Sequence, residues 1–189
     1  MSPSRDFDLP ADCAFSVRPV AVFRSPQRVH HDAPRQPRTT PGTPRPQGRI
    51  VVRQGLQNLL QDLAGFSHLW VLFWCHHADG YNDLVTPPRD TRKRGLFATR
   101  APHRPNPIGL SALELVRIEK RTLVVGDHDL LDGTPILDLK PYVPAYDAIP
   151  HARAGWVDEL GPHAGPDHRE WWTELGLPPP FNYRHRPED

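Results

Sequence analysis

Apolar and polar residues alternate along much of the chain, and the alternation predicts strands. In FSVRPVAVF (15–23), Phe15, Val17, Pro19, Ala21 and Phe23 share one face at a period of two. Pro19 has no N–H to give a sheet, which predicts an edge position or a bulge. GRIVVR (48–53) is a short strand. HLWVLFWCHH (68–77) is apolar at both parities and predicts a strand covered on both faces, hence central. RGLFAT (94–99) predicts another strand. SALELVRIEKRTLVVGDHD (111–129) alternates on two arms and predicts a hairpin turning near Glu119–Arg121. DLLDGTPILDLKPY (129–142) predicts an Asp-Gly turn followed by a strand.

Helical spacing is confined to two places. In GLQNLLQDLAGF (55–66), Leu56, Leu59, Leu60 and Leu63 recur at i, i+3, i+4 and i+7, with Gly65 as a stop. HREWWTELG (168–176) predicts a short helix. Residues 26–47 hold six prolines and no periodicity, which predicts a long loop. Strands joined by short turns, without alternating strand–helix units, predict a mainly β fold: an antiparallel sheet or small barrel.

Charge changes this picture by its distribution. The formal net charge is only +1, yet residues 18–53 carry eight arginines against Asp32, and residues 145–189 carry eight acids against four arginines. A basic front half points toward phosphate-bearing partners. Two cysteines, Cys13 and Cys75, are too few for a disulfide framework, and a cytoplasmic setting is expected. The start has no apolar leader pattern. The longest apolar run, 69–75, falls well short of the ~20 residues a membrane span needs, so no membrane partner is expected.

Familiar catalytic motifs are missing: no glycine-rich dinucleotide loop, no phosphate-binding P-loop and no nucleophile elbow occurs. Cys75 and His77 would share a strand face with His76 on the other, a poor metal spacing. FATRAPHRPNPIG (97–109) is dense in another way. Pro102, Pro105 and Pro107 stiffen a segment that presents Arg100, His103, Arg104 and Asn106 as donors for carboxylate, phosphate or base edges. A stiff loop loses little entropy when a ligand arrives. In DLLDGTPILDLKPY, Asp138 and Lys140 fall on one strand face, with Leu137 and Leu139 on the other. APRQPR (33–38) offers a basic loop in a proline frame.

These segments, PRQ (34–36), GFSHLWVLF (65–73), GLFATRAPHRPNPIGLS (95–111) and DLLDGTPILDLKPY (129–142), resemble in order and spacing the TrmO-like (TsaA-like) tRNA adenine-N6 methyltransferases. The resemblance implies a single-sheeted antiparallel β-barrel over residues 15–147, with a flexible N-terminus (1–14) and a C-terminal extension (148–189). It implies S-adenosylmethionine as methyl donor, no metal, a homodimer, and methylation of N6 of threonylcarbamoyl-adenosine at position 37 in the tRNA anticodon loop. Carried over residue by residue, it implies cofactor contacts from Arg35, Gln36, Pro37, His76, His77, Arg100, Leu110, Gly126, Asp127, His128 and Asp129.

Asn106, Asp132 and Asp138 match motif positions and are the candidate catalytic groups, with Asp132 or Asp138 holding the adenine edge or taking its proton. Arg104, Lys140, Tyr142, Arg92 and Arg94 are candidate substrate contacts. Arg28, Arg35, Arg38, Arg89, Arg92, Lys93 and Arg94 are expected on tRNA phosphates. The family usually carries Ser and Phe where this chain has Ala101 and His103. The acidic extension is a poor partner for RNA phosphates. Alternatives are a cofactor-binding regulator without turnover, or a methyltransferase for another nucleic acid or a small molecule.

Overall fold

Six strands close into an antiparallel barrel. They are β1 (Ala21–Arg24), β2 (Gly48–Val52), β3 (His68–Trp74), β6 (Ile108–Glu119), β7 (Thr122–Gly126) and β8 (Pro135–Pro141), bonded around the barrel in the order β1-β2-β7-β6-β3-β8. Two short strands, β4 (Leu84–Val85) and β5 (Arg94–Gly95), form a separate ribbon. The computed structural model describes residues 13–26, 47–88 and 90–160. The helix expected at 168–176 and the loop expected at 26–47 lie wholly or almost wholly outside those residues.

Alternation selects what fills the barrel. Phe23, Ile50, Leu69, Val71, Leu113, Leu123, Val125 and Ile136 point inward and are fully buried. Each such burial contributes about 1.5–3 kcal/mol. A barrel this narrow is filled by side chains and leaves no lumen for a ligand. Two glycines fit the packing because a Cβ would not: at Gly48 it would lie 2.1 Å from the Phe23 ring, and at Gly109 it would lie 2.2 Å from the Phe73 ring. Gly109→Ala is therefore expected to destabilise the barrel by about 1–3 kcal/mol through overpacking, measured by denaturant unfolding.

The strand registers sort the loops to two ends. Arg24 pairs with Arg49, Gly48 with Val125, Trp74 with Ile108, and Phe73 with Ile136. One rim therefore gathers the segments that follow β1, β3 and β7 and those that precede β2, β6 and β8. The opposite rim carries residues 53–67, the β6–β7 turn at Lys120 and Tyr142.

Several expectations give way. The strand at 15–23 begins only at Ala21; Phe15 and Val17 are 82% and 59% exposed. Pro19 cannot donate to a ladder, and pairing with β8 starts at Ala21. The helix at 55–66 is two 3₁₀ turns, Gln57–Leu60 and Leu63–Gly65. Asp62 between them is left-handed (φ 62°), which no continuous α-helix admits. Leu56, Leu60 and Leu63 still pack on the core, while Leu59 is exposed. The strand at 94–99 shrinks to Arg94–Gly95, followed by a 3₁₀ turn over Leu96–Ala98.

In β8 the pairing slips, so that Leu72 faces Asp138 and Phe73 faces Ile136. Leu137 is the bulged residue, and Ile136 and Leu139 are the positions turned to the core. The clean alternation expected of Leu137 and Leu139 does not hold. Two short helices, α1 (Pro144–Asp147) and α2 (Trp156–Glu159), follow the barrel.

Candidate active site

The rim reached by β3 is built around Asp129. The Ser111 hydroxyl lies 2.9 and 3.1 Å from its two carboxylate oxygens. Burial pushes the Asp129 carboxyl up to about 6, against the opposing pull of Ser111, its own amide and Arg100. Burial, with Asp129 as the next cause, also pushes the Cys75 thiol up to about 11 while Arg104 opposes. Cys75 is therefore a neutral neighbour rather than a thiolate. Ser111 was not singled out in the sequence. Its signal was legible: it continues the inward-facing positions of Leu113 and Leu115 as a polar residue on an apolar face.

The histidines after β3 stack on one another, centroids 4.0 Å apart at 41°. Strand geometry had put them on opposite faces, but β3 ends at Trp74, so alternation no longer applies. Burial first, and His77 second, hold His76 below the usual histidine range. The Asp132–Gly133 turn sits beside His76: a Cβ on Gly133, itself at φ +80°, would lie 3.9 Å from His76 Nε2. Asp132 accepts the Ser25 amide at 3.1 Å and faces Arg24 at 3.5 Å. It therefore ties the exit of β1 to the turn. In the sequence, residues 27–46 fall between that exit and β2. Arg35, Gln36 and Pro37 belong to them and lie outside the described residues, as do Arg28, Arg38 and Arg89.

Gly126 ends β7, and the next residue, Asp127, is left-handed (φ 48°) and buried. His128 is fully buried edge-on to Phe23, ring centroids 4.7 Å apart. Burial pushes its pKa down to about 4, while backbone groups of Leu130 and Gln47 pull the other way. Those groups lie close, yet neither ring nitrogen makes a hydrogen bond of standard geometry among the described residues. His128 is a neutral core residue under the rim.

The proline-rich loop is held by its own side chains. One Arg104 guanidinium nitrogen reaches the carbonyls of Leu96, Thr99 and Ala101 at 3.4, 3.0 and 3.4 Å, and the head stacks over Phe97. Arg104 thus organises the loop, where a substrate contact was expected. His103 Nδ1 lies 3.0 Å from the Asp79 carbonyl and 3.2 Å from its amide, bonding one or the other according to tautomer. This histidine pins the loop to the segment after β3. Pro107 accepts the Cys75 amide at 2.7 Å. Asn106 and Arg100 are left exposed, Arg100 near enough to Asp129 to stabilise its anion.

Other expected residues are not brought to this rim. Asp138 and Lys140 share a face, as expected, with a 2.7 Å ion pair. They lie on the outer wall opposite Leu72 and Trp70, away from the rim. Tyr142 packs on Trp70 at 5.3 Å at the far end. Leu110 faces outward beside Leu72 and is 52% exposed.

Arg94 bonds buried Asp90 at 2.6 Å, reaches Glu159 at 3.6 Å and stacks on Trp156 at 5.2 Å. The Arg92 amide donates to Asp90. Trp156 Nε1 donates to Ala98 O at 2.8 Å. Helix α2 is thus clamped to the ribbon that leads into Arg100, a contact the sequence gave no sign of. Trp156→Ala should destabilise this clamp by about 1–2 kcal/mol, seen as faster amide exchange over Leu96–Thr99.

Fold and rim together define a class: a closed antiparallel barrel with no βαβ unit among the described residues, its candidate ligand groups collected on loops at one end. The family model for the tRNA-methyltransferase O N-terminal domain matches residues 22–148, and the chain belongs to that family. A probable S-adenosyl-L-methionine-binding protein of Archaeoglobus fulgidus is 40% identical over 148 residues, covering 78% of this chain and 39% of that one. A tRNA (adenine(37)-N6)-methyltransferase of Eikenella corrodens is 47% identical over 134 residues, covering 61% and 69%. The crystal structure of TrmO from Pseudomonas aeruginosa superposes with a TM-score of 0.62 at 38% identity, over 76% of this chain and 62% of that one. The chain thus spans less than two thirds of the first relative and of that solved chain.

Proposed function

We propose that this chain is an S-adenosylmethionine-dependent methyltransferase acting on N6 of adenosine 37 in tRNA, with threonylcarbamoyl-adenosine as the base. The observation that carries the reading is the rim, where a half-buried carboxylate, Asp129, bonded to buried Ser111, stands near an exposed guanidinium, Arg100, among loops matching the family motifs. The donor set suits the cofactor. Asp129 accepts hydrogen bonds from hydroxyl or ammonium groups, and Arg100 pairs with a carboxylate. The cofactor, when bound, supplies an electrophilic methyl group on sulfur. The protein contributes position: a stiff loop and a pinned turn hold the base in line, a term that reaches effective molarities of ~10⁵ M in good cases.

Asp129 is also the rim carboxylate with an affinity suited to receiving the N6 proton near neutral pH. Asp132 acts through the turn it ties to β1. Residues 15–147 would form the catalytic domain and 148–189 an extension clamped through Trp156. Anticodon-loop bases suit such a rim because they are already unpaired. The outer wall, with Ile108 and Leu110 about half exposed beside Leu72 and Trp74, supports pairing of two copies. No helix among the described residues is long and apolar enough to cross a membrane; a cytoplasmic site of action follows from the tRNA substrate.

Calorimetric titration with S-adenosylmethionine tests the cofactor half: the parent binds, and Arg100→Ala weakens binding at least tenfold. Equal affinity would remove Arg100 from the site. A second reading, a cofactor-binding regulator without turnover, is favoured by the archaeal relatives named only for binding. It predicts the same titration and no methylated product.

A further inference from the structure

The barrel carries a second charged feature that the rim does not use. A groove crosses the outer face of β1 and β2, floored by Val22 and Val51 and walled by Arg24, Arg53, Gln54 and Arg121. Strand register explains the charge. Arg24 and Arg49 are directly opposed and both point outward. Like charges so placed repel, and an anion lying over them relieves the repulsion. Arg24 is met by Asp132 at 3.5 Å, and Arg49 by Glu119 at 2.6 Å, which also holds Arg117. Among the described residues, Asp132 and Glu119 meet Arg24, Arg49 and Arg117, whereas Arg53, Lys120 and Arg121 have no acid partner.

The far end is the least compensated. The Arg53 side chain has no hydrogen bond or ion pair among the described residues, and Arg121 gives one guanidinium nitrogen to the Val52 carbonyl at 2.7 Å. Arg49 and Val51 of β2 and Arg53 just after it succeed one another every second residue on the outward side. That spreads the charge over ~13 Å, the reach of a few nucleotides rather than of one small anion.

We propose that this groove docks the sugar–phosphate backbone of an RNA, and specifically the body of the tRNA whose base enters the rim. The proposal rests on the tRNA reading above. Three observations favour RNA backbone as the occupant. The groove is cationic and built from arginines, whose planar forks match phosphate oxygens. It offers aliphatic floor residues and no aromatic ring, so it grips backbone rather than stacking bases. It is also continuous with the rim, because Arg24 at its near end bonds Asp132 of the turn. A strand lying along it leads to the candidate site.

The test uses the full chain. Arg53→Gln and the pair Arg53→Gln/Arg121→Gln are compared with the parent for methylation of full-length tRNA, direct tRNA binding against salt, and S-adenosylmethionine affinity. The double variant is expected to raise KM for tRNA about five- to twentyfold, with kcat within about twofold and cofactor affinity unchanged. Its binding should lose about one to two units of slope against log salt. Arg53→Gln alone shows part of the effect without touching the Val52 contact, and Arg53→Lys restores it. Unchanged tRNA binding in both variants overturns the groove. So does a parallel fall in cofactor affinity, or a loss confined to binding of phosphatidylserine vesicles. Failure of the underlying reading looks different: the parent transfers no methyl group to tRNA, whatever the variants bind.

Discussion

Asp129→Asn is expected to lower kcat/KM for methyl transfer about 100-fold at pH 7.5, while leaving the free protein more stable than its parent. Both effects follow from one cause. Burial holds the carboxyl at about 6, well above the usual aspartate range. As a group that accepts hydrogen bonds or a proton at the rim, it works as the anion. Parent kcat/KM should therefore rise about tenfold per pH unit up to 6 and level off above it, and the asparagine variant should be flat.

For stability the sign is reversed. A carboxyl whose folded pKa is raised binds its proton more tightly in the folded state. Folding is thus most favoured below the unfolded value and loses ground as pH climbs through 6. At pH 7 the asparagine removes that loss, on the order of 1–2 kcal/mol once solvent screening at this half-buried site is allowed for, or a few degrees in Tm. A variant that loses activity and melts lower would assign Asp129 a purely structural part.

Asp132→Ala is expected to lower kcat/KM at least tenfold, with Asp132→Asn recovering most of the loss. The Asp132 carboxylate accepts the Ser25 amide and faces Arg24, so it fixes where β1 hands over to residues 27–46 and where the turn beside His76 stands. An asparagine oxygen still accepts from Ser25, whereas alanine leaves that amide without its partner. This pattern separates a positioning role from proton transfer, in which asparagine would fail as badly as alanine. Asp138→Asn serves as the control. Its ion pair with Lys140 is about half exposed on the outer wall, so turnover should stay within about twofold and stability within about 1 kcal/mol.

What the sequence revealed depended on how far a residue's role is local. The β6–β7 hairpin was readable because alternation determines it within a few residues, and the turn before β8 because an Asp-Gly pair does; the bulge at Leu137, set by pairing with β3, was not. The helix at 55–66 was not. Leu56, Leu60 and Leu63 satisfy the same burial from two 3₁₀ turns, and nothing in the pattern signals that Asp62 turns left-handed. In the proline-rich loop, stiffness was legible, but the direction of each donor was not. Arg104 and His103, which looked like ligand donors, hold the loop itself, and Arg94 grips Asp90 and Trp156 from distant parts of the chain. Asp129 stood out in the sequence as one of several acids in 129–142, its cofactor role came only through family resemblance, and its raised affinity arises from burial, against the pull of Ser111 a strand away.

Methyl transfer from the rim to adenosine 37 of tRNA is tested most directly on the tRNA itself. Total tRNA is incubated with the chain and methyl-labelled S-adenosylmethionine, digested, and its nucleosides are resolved by mass spectrometry. Label is expected on N6 of threonylcarbamoyl-adenosine at position 37, and is expected to be lost in Asp129→Asn. A parent chain that binds the cofactor yet leaves every tRNA nucleoside unlabelled would contradict that expectation.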